Sequence, residues 1–260
     1  MSAPAVAAFS LVVAMSVAWI VGRRSGTGWI DVIWTLAVGA ATAIALALAQ
    51  APPARRALVA GLVAVWSLRL ALHIALRTAH DPHDPRYAAL MEEWGARAPL
   101  RLFLFLQAQA VAGFVLAVAA YLAATAAAPV GSLATILAAG AALAAIAGEA
   151  AADAQLAAFK RTAPKGSVCE RGLWALSRHP NYFFEWLFWA AIAGLALAAP
   201  TPLAFISLAA PAMMYALLRY ASGVPHLEAH MRRTRPHAFA DYARRTPVFF
   251  PDLSMLFRRK

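Results

Sequence analysis

Long apolar runs separated by short charged clusters are the feature that most constrains the fold of this chain. A membrane-spanning helix needs about 20 mostly apolar residues, and only 13% of the residues are charged, against about a quarter in a soluble domain. The sequence therefore predicts an all-α, polytopic integral membrane protein that forms a single domain over residues 1–260. Seven runs qualify as spans: residues 4–22, 30–50, 57–77, 102–125, 132–158, 183–199 and 202–220.

The distribution of lysine and arginine predicts the orientation. The first run follows no charged segment and precedes no clear cleavage site, so it is counted as a retained helix rather than a signal peptide. With the N-terminus outside, 20 of the 23 basic residues fall on the inner side, Arg55 and Arg56 fall outside, and Arg69 lies within a span. Because inner loops are enriched in basic residues, we expect an N-out, C-in protein of the bacterial inner membrane.

The basic tail of the chain does not indicate a nucleic-acid partner. It begins directly after a predicted membrane helix and carries no recognised nucleic-acid motif. The histidines near residues 80–83 and 226–237 show no ligand periodicity, and Cys169 is the only cysteine. The sequence therefore predicts no metal site.

Polar residues recur inside the predicted spans, where ionisable groups are costly and often functional. In the predicted orientation all of them fall in the cytoplasmic half of their helix, so we expect one polar pocket open to the cytoplasm. The alternative is that they only pair with one another, for example Arg69 with Glu149. The residues concerned are Asp31, Arg69, His73, Gln107, Gln109, Glu149, Asp153 and Glu185.

The segment Gly172-Leu-Trp-Ala-Leu-Ser-Arg-His-Pro-Asn-Tyr-Phe-Phe-Glu185 is the most specific stretch. Its proline predicts the start of a helix, with Arg178 and His179 just before it. Free backbone N–H groups beside cations form an anion site, which predicts a nucleotide phosphate or carboxylate here. Asn181 and Glu185 lie four residues apart and share one helix face. The alternative is an ordinary capped helix after a basic loop.

This segment resembles the signature of the bacterial DUF1295 family, which belongs to the steroid 5α-reductase-like membrane enzymes. The resemblance covers nearly the whole chain, with the signature region over about residues 132–251. One departure is Phe184, where family members commonly have glycine, and a ring there narrows the pocket mouth or turns toward lipid. The other matching motifs are Asp31-Val-Ile-Trp34, Asp84-Pro-Arg-Tyr87, Glu149…Asp153-Ala-Gln155…Phe159-Lys160, Gly223-Val-Pro225…Glu228 and Tyr242…Thr246-Pro-Val-Phe-Phe-Pro251.

The resemblance implies an NADPH-dependent reductase of a carbon–carbon double bond, conjugated to a carbonyl in a steroid-like or other lipid. Its motif positions imply cofactor contacts from Asp153, Lys160, Asn181, Glu185 and Tyr242. Charge and location add Arg171, Arg178 and Arg245 as phosphate partners, and the neighbouring Glu149, His179 and Tyr182 complete the predicted cofactor set. The group that polarises the substrate carbonyl has no secure match, which leaves Asp31, Tyr87 and His73 as candidates.

Two other functions stay open. Isoprenylcysteine carboxyl methyltransferases also carry an Arg-His-Pro-x-Tyr block and would use S-adenosylmethionine. They usually have a glycine shortly after that tyrosine and paired glutamates in the tail, whereas this chain has Asn181, Glu185 and a single tail glutamate, Glu228. A non-catalytic lipid-binding protein is the third alternative. The Rossmann fingerprint G-x-G-x-x-G is absent, so any nicotinamide nucleotide would be held by helices and loops.

Overall fold

The computed structural model describes residues 2–164 and 166–256 and contains helices but no strand within them. Short 3₁₀ turns lie at Gly95–Arg97, Gly172–Ala175, Ala204–Leu208 and Leu253–Leu256, and a π-helical turn lies at Leu217–Ala221. The all-α prediction is therefore confirmed for the described residues. The α-helices are α1 Ala3–Ser25, α2 Trp29–Ala47, α3 Pro53–His80, α4 Pro85–Trp94, α5 Ala98–Thr125, α6 Leu133–Thr162, α7 Pro180–Leu197, α8 Ala209–Ala216, α9 Val224–Thr234 and α10 Pro236–Arg245.

Six helical segments in the described part of the chain are long and apolar enough to cross a membrane. They are α1, α2, α3, α6, the segment Pro85–Thr125 that contains α4 and α5, and the segment Ala204–Thr234 that contains α8 and α9. The predicted span over residues 183–199 corresponds to α7, which is not among the six and begins with a polar first turn. The total of seven spans stays a prediction.

The chain divides into two compact units. The first comprises Met1–Ala139 and Ile192–Ala210, and the second comprises Gly140–Ala191 and Pro211–Lys260. The prediction of a single domain over residues 1–260 stays a prediction.

Close helix packing through small residues organises the first unit. A side chain at Gly39 would lie 2.4 Å from Ser67 Oγ, so glycine lets α2 and α3 approach each other. Ser67 Oγ then donates to the Thr35 carbonyl oxygen at 2.9 Å. Leu11 and Trp66 are fully buried in the core of the same unit.

Arg55 does not lie in an outer loop, as the count of basic residues assumed. Helix α3 begins at Pro53, ahead of the apolar run, so Arg55 lies in its first turn. Arg55 is only 1% exposed. Its Nε donates to the Ala123 carbonyl at 2.7 Å, and its Nη1 donates to the Ala128 carbonyl at 2.8 Å and to Thr135 Oγ1 at 3.1 Å. Its Nη2 donates to the Leu195 carbonyl. The guanidinium thus caps helix C-termini, where cations are favoured.

The C-terminal tail folds back within the second unit. Ser177 Oγ donates to the Phe249 carbonyl at 2.8 Å, and the Arg178 backbone N–H donates to the Pro247 carbonyl at 2.9 Å. The Phe249 ring contacts Phe183 edge-on, at a centroid distance of 6.4 Å. These bonds hold the tail against the start of α7, which brings two sequence motifs together.

The orientation is open to a direct test with reporter fusions. We expect a reporter at Gln50 to be active outside the cytoplasm, and one at Lys260, which lies outside the described residues, to be active inside, because 20 of the 23 basic residues fall on the predicted inner side. Alkaline phosphatase and green fluorescent protein report these two locations. A fluorescent Gln50 fusion together with an active Lys260 phosphatase fusion would reverse the predicted orientation.

Candidate functional site

The segment before α7 is fixed to α6 inside the second unit. Gly172 has φ +58°, a conformation that favours glycine, and a side chain there would lie 2.5 Å from Gln155 Oε1. The same oxygen accepts a hydrogen bond from the Leu173 backbone N–H at 2.9 Å. Trp174 Nε1 donates to the Ala152 carbonyl at 2.9 Å. The Gly172-Leu-Trp174 segment therefore packs against α6 and fixes the position of Pro180, the first residue of α7.

Asp153 and Asn181 meet at the start of α7. Asn181 Nδ2 donates to Asp153 Oδ1 at 3.3 Å. One turn further along α7, the buried carboxylate of Glu185 accepts a hydrogen bond from Trp189 Nε1 at 3.1 Å. Glu149 lies one turn from Asp153 on α6 and is 4% exposed. The second unit therefore holds these three buried carboxylates, and one of them, Asp153, is hydrogen-bonded to the Asn181 amide. Amide and carboxylate groups of this kind suit hydroxyl and carboxamide partners.

Glu228 on α9 organises a second group of polar side chains in the same unit. Arg178 Nε donates to Oε1 of Glu228 at 2.8 Å, and Arg232 Nη2 donates to Oε2 at 2.8 Å. His179 Nε2 lies 3.3 Å from Oε1, and the glutamate is 4% exposed. We call Glu228, Arg178, His179 and Arg232 the Glu228 cluster. The sequence analysis noted Glu228 as the single glutamate of the tail and as part of a family-matching motif, but did not place it in the site.

His179 contributes hydrogen bonding rather than charge. Burial lowers the pKa of His179, and this effect outweighs the opposing hydrogen bond and charge of Glu228. The imidazole is therefore neutral at pH 7. Because a carboxylate only accepts, Nε2 must carry the proton. The imidazole ring also stacks on Tyr182, with centroids 5.5 Å apart and planes at 10°.

Of the remaining predicted cofactor residues, some form hydrogen bonds within the protein and others are exposed cations. Tyr242 is buried, and its hydroxyl donates to the Trp174 carbonyl at 2.6 Å, while burial raises its pKa. Arg178 Nη1 donates to the Ala243 and Thr246 carbonyls at 2.9 and 3.0 Å. Both side chains hold the tail in place, so contact with a cofactor stays a prediction for them.

The exposed cations lie at the ends of the same elements. Lys160 closes the last turn of α6, and Arg171 precedes the 3₁₀ turn, and both are exposed. Arg245 is 63% exposed and donates through Nη2 to Glu170 Oε2 at 2.9 Å. Of the residues predicted to meet phosphates, Arg171 and Arg245 therefore present the most accessible charge.

Phe184 packs against α6. A side chain added at Gly148 would lie 2.4 Å from Phe184 Cε1 and 2.5 Å from its Cζ. The ring therefore occupies the space that a side chain at position 148 would need. The large residue on α7 and the small residue on α6 are complementary, which accounts for a phenylalanine at this position.

Asp31 and Tyr87, two of the candidates for polarising a substrate, meet in the first unit. Tyr87 is buried, and its hydroxyl donates to Asp31 Oδ1 at 2.9 Å. Gln109 Nε2 donates to the Tyr87 hydroxyl oxygen at 3.2 Å. Arg86 forms ion pairs with both Asp31 and Asp84, the latter at 2.8 Å. We call these five residues the Tyr87 cluster, in which sequence reasoning had not assigned a role to Arg86.

Asp84 anchors this cluster to the start of α4. Its Oδ1 accepts hydrogen bonds from the backbone N–H and the Nε of Arg86, both at 2.9 Å. Burial works to raise the pKa of Asp84, but the adjacent Arg86 guanidinium outweighs it and lowers the pKa. Asp84 is therefore an ionised helix cap that fixes Arg86 beside Asp31.

The third candidate, His73, is half-buried on α3 in the first unit. Arg69 belongs to the same unit, whereas Glu149 and Asp153 belong to the second. A single pocket bordered by all four stays a prediction.

The comparison with protein families gives one match. The sequence profile described as "Protein of unknown function (DUF1295)" matches residues 18–246, which is most of the chain and includes both clusters. No protein of curated function and no solved structure matches this chain.

Proposed function

This chain belongs to the DUF1295 family, and on that premise we propose that it is a membrane-bound, NADPH-dependent reductase of a carbon–carbon double bond conjugated to a carbonyl in a lipid. The observation that carries the proposal is the hydrogen bond from Asn181 on α7 to Asp153 on α6, one helical turn from the buried Glu185, in the unit that also contains the exposed Lys160, Arg171 and Arg245. We place this site on the cytoplasmic side of the inner membrane, since the anionic cofactor would arrive from the basic face.

The chemistry of the second unit fits a nicotinamide dinucleotide. Asn181 offers an amide, while Asp153 and Glu185 offer acceptors for ribose hydroxyls or a carboxamide. Arg171 and Arg245 offer guanidinium groups that bind phosphate bidentately. NADPH carries a 2′-phosphate that NADH lacks, and these guanidinium groups would bind that additional anion. This favours NADPH over NADH.

Reduction of a conjugated double bond requires a hydride at the β-carbon, a hydrogen-bond donor at the carbonyl oxygen, and a proton from solvent at the α-carbon of the enolate that forms. NADPH, when bound, supplies the hydride, and the protein stabilises the negative charge that develops on the oxygen. Of the three candidates Asp31, Tyr87 and His73, Asp31 accepts from Tyr87 and pairs with Arg86, so it has no proton to donate and would act only by orienting Tyr87. The Tyr87 hydroxyl donates a hydrogen bond to Asp31 in this structure, so it would polarise a carbonyl only after exchanging that hydrogen bond.

Cofactor binding tests the proposal. Thermal unfolding of the purified protein is followed with NADPH, NADH and S-adenosylmethionine, and we expect stabilisation by NADPH. Asn181→Ala and Glu185→Ala should each weaken NADPH binding about tenfold or more, since one hydrogen bond to a charged or buried group is worth about 1.5–3 kcal/mol. Glu92→Ala, at an exposed glutamate of the first unit, is the control and should leave binding unchanged.

Other results of the same titrations would support a different function or reject the proposed site. Stabilisation by S-adenosylmethionine without a response to either nicotinamide would replace the reductase with a lipid methyltransferase. No response to any of the three would favour a non-catalytic lipid-binding protein. Unchanged NADPH affinity in both variants would reject this site even if NADPH binds.

A further inference from the structure

Two short helices of the second unit, α9 and α10, carry a concentration of positive charge. The segment from Val224 to Arg245 contains five arginines but only two acidic residues, Glu228 and Asp241. Each helix buries one side, which includes Glu228 in α9 and Tyr242 in α10. We call α9 and α10 the basic helix pair. Its exposed side carries Arg232, Arg233, Arg244 and Arg245.

The basic helix pair begins where a membrane-length apolar segment ends. The segment Ala204–Thr234 is long and apolar enough to cross a membrane, and its apolar part ends with Tyr220, which is 64% exposed. The Arg219 guanidinium lies 5.0 Å from the centroid of this ring. Exposed tyrosines and cations at the end of a span are typical of the membrane–water interface. Because α9 begins only four residues later, it starts at the level of the lipid headgroups.

Contacts with α7 keep α9 at that level. Glu228, in the second turn of α9, accepts from Arg178, which lies two residues before α7 begins. The Phe250 ring contacts Trp186 on α7 and Tyr215 on α8, at centroid distances of 5.4 and 5.7 Å. The first turns of α7 are therefore level with the end of α8. It follows that α9 runs across these two helix ends and does not extend away from the membrane.

Arg232 is a fixed and exposed cation of the basic helix pair. Its Nη2 donates to Glu228 Oε2 at 2.8 Å, and its guanidinium lies 5.8 Å from the Phe239 ring centroid, yet its side chain is 65% exposed. Glu228 also pairs with Arg178, so one carboxylate is shared by two guanidinium groups. Arg233 is exposed at the next position, and no ion pair joins it to another described residue. The basic helix pair thus keeps positive charge that its own acidic residues do not neutralise.

We propose that the basic helix pair binds the headgroups of anionic phospholipids in the membrane that the chain spans. Clusters of about four to eight basic residues beside a membrane helix attract such lipids, and each residue strengthens the attraction about fivefold. A guanidinium group can also bind a phosphate bidentately. The partner is a lipid headgroup rather than a soluble phosphate because α9 lies where the membrane ends. This inference needs only the membrane segment and the arginines, and it is independent of the reductase proposal.

The lipid preference of the purified full chain tests the inference. The chain in mild detergent micelles is titrated with dioleoylphosphatidylglycerol or dioleoylphosphatidylcholine, which share their acyl chains and differ in net charge. The shift in thermal unfolding gives the apparent affinity for each lipid. We expect phosphatidylglycerol to bind about tenfold more tightly or better. This preference should fall as sodium chloride is raised from about 0.05 to about 0.5 M, because salt screens exposed charges. Equal binding of the two lipids, or a preference that salt leaves unchanged, would overturn the proposal.

Matched pairs of substitutions locate the effect. The double variant Arg233→Gln/Arg244→Gln should lower the preference for phosphatidylglycerol about fivefold or more, with little change in unfolding without lipid, since both positions are exposed. The control is Arg97→Gln/Arg101→Gln, which removes two exposed arginines of the first unit. The control should keep the preference. An equal loss in both double variants would reject the basic helix pair as the binding surface.

Inorganic pyrophosphate separates a lipid headgroup from a soluble anion. We expect no stabilisation by pyrophosphate at concentrations where phosphatidylglycerol acts, because a soluble anion lacks the membrane that holds the headgroup beside α9. Suppose instead that pyrophosphate stabilises the wild type and that Arg233→Gln/Arg244→Gln abolishes this effect. The basic helix pair would then be a site for a soluble anion, and the lipid assignment would be wrong.

Discussion

Replacing Arg55 with methionine is expected to destabilise the protein by about 3 kcal/mol. The guanidinium is 1% exposed and donates to three backbone carbonyls and one hydroxyl. Methionine keeps much of the side-chain volume but removes every donor, so these oxygens lose their partners. Each hydrogen bond to a charged group contributes about 1.5–3 kcal/mol, and the compensation that membrane proteins find in their unfolded reference state reduces the total. Reversible unfolding in mixed micelles measures the change.

The next residue supplies a matched control. Arg56 lies on the same helical turn but is only half-buried, and its Nη1 donates to the Ala49 carbonyl at 3.2 Å. Arg56→Met should change the unfolding free energy by about 0.5 kcal/mol or less. Arg55→Lys should fall between the two, since lysine keeps the charge and loses the planar array of donors. Equal effects of the two methionine substitutions would show that Arg55 has no special role as a cap.

The helices were predictable from the sequence because their signal is local. Apolar runs of about 20 residues predicted most of the long helices, and Pro180 predicted the start of α7. The proximity of α6 and α7 motifs in one unit was expected from Asp153 and Asn181, which meet at 3.3 Å. For the helices, residue type and spacing along one helix carry the information, whereas the common placement of Asp153 and Asn181 came from the family resemblance.

The partners of buried charges were not predictable in the same way. The hydrogen bonds of Arg55 are mainly to backbone carbonyls. Every residue has a backbone carbonyl, so the sequence does not indicate which one is the partner. Arg86 bridges two aspartates that lie far apart along the chain. Glu228 depends on the tail folding back onto α7. These contacts arise from tertiary packing, which hydropathy and periodicity do not encode.

Replacing Glu228 is expected to have a second large effect, a loss of about 3 kcal/mol for Glu228→Ala. One buried carboxylate accepts from Arg178, His179 and Arg232. Its removal leaves the largely buried Arg178 guanidinium, 13% exposed, without its counter-charge, and breaking a buried ion pair costs about 3–5 kcal/mol. Thermal unfolding measures the loss. Limited trypsin digestion follows cleavage at Arg232 and Arg233, which should become faster as α9 detaches.

The type of substitution separates charge from hydrogen bonding at Glu228. Glu228→Gln keeps one acceptor and should lose less stability than Glu228→Ala, while Asp241→Asn is the control. Asp241 pairs with Arg244, and both side chains are more than half exposed, so that substitution should change stability by less than about 0.5 kcal/mol.

Equal effects of Glu228→Ala and Asp241→Asn would mean that the buried carboxylate does not hold the tail. If Glu228→Gln unfolds as readily as Glu228→Ala, the negative charge is what anchors α9 to the start of α7. If it behaves like the wild type, the hydrogen bonds alone suffice, and the positive charge of Arg178 and Arg232 is then available to an anionic ligand.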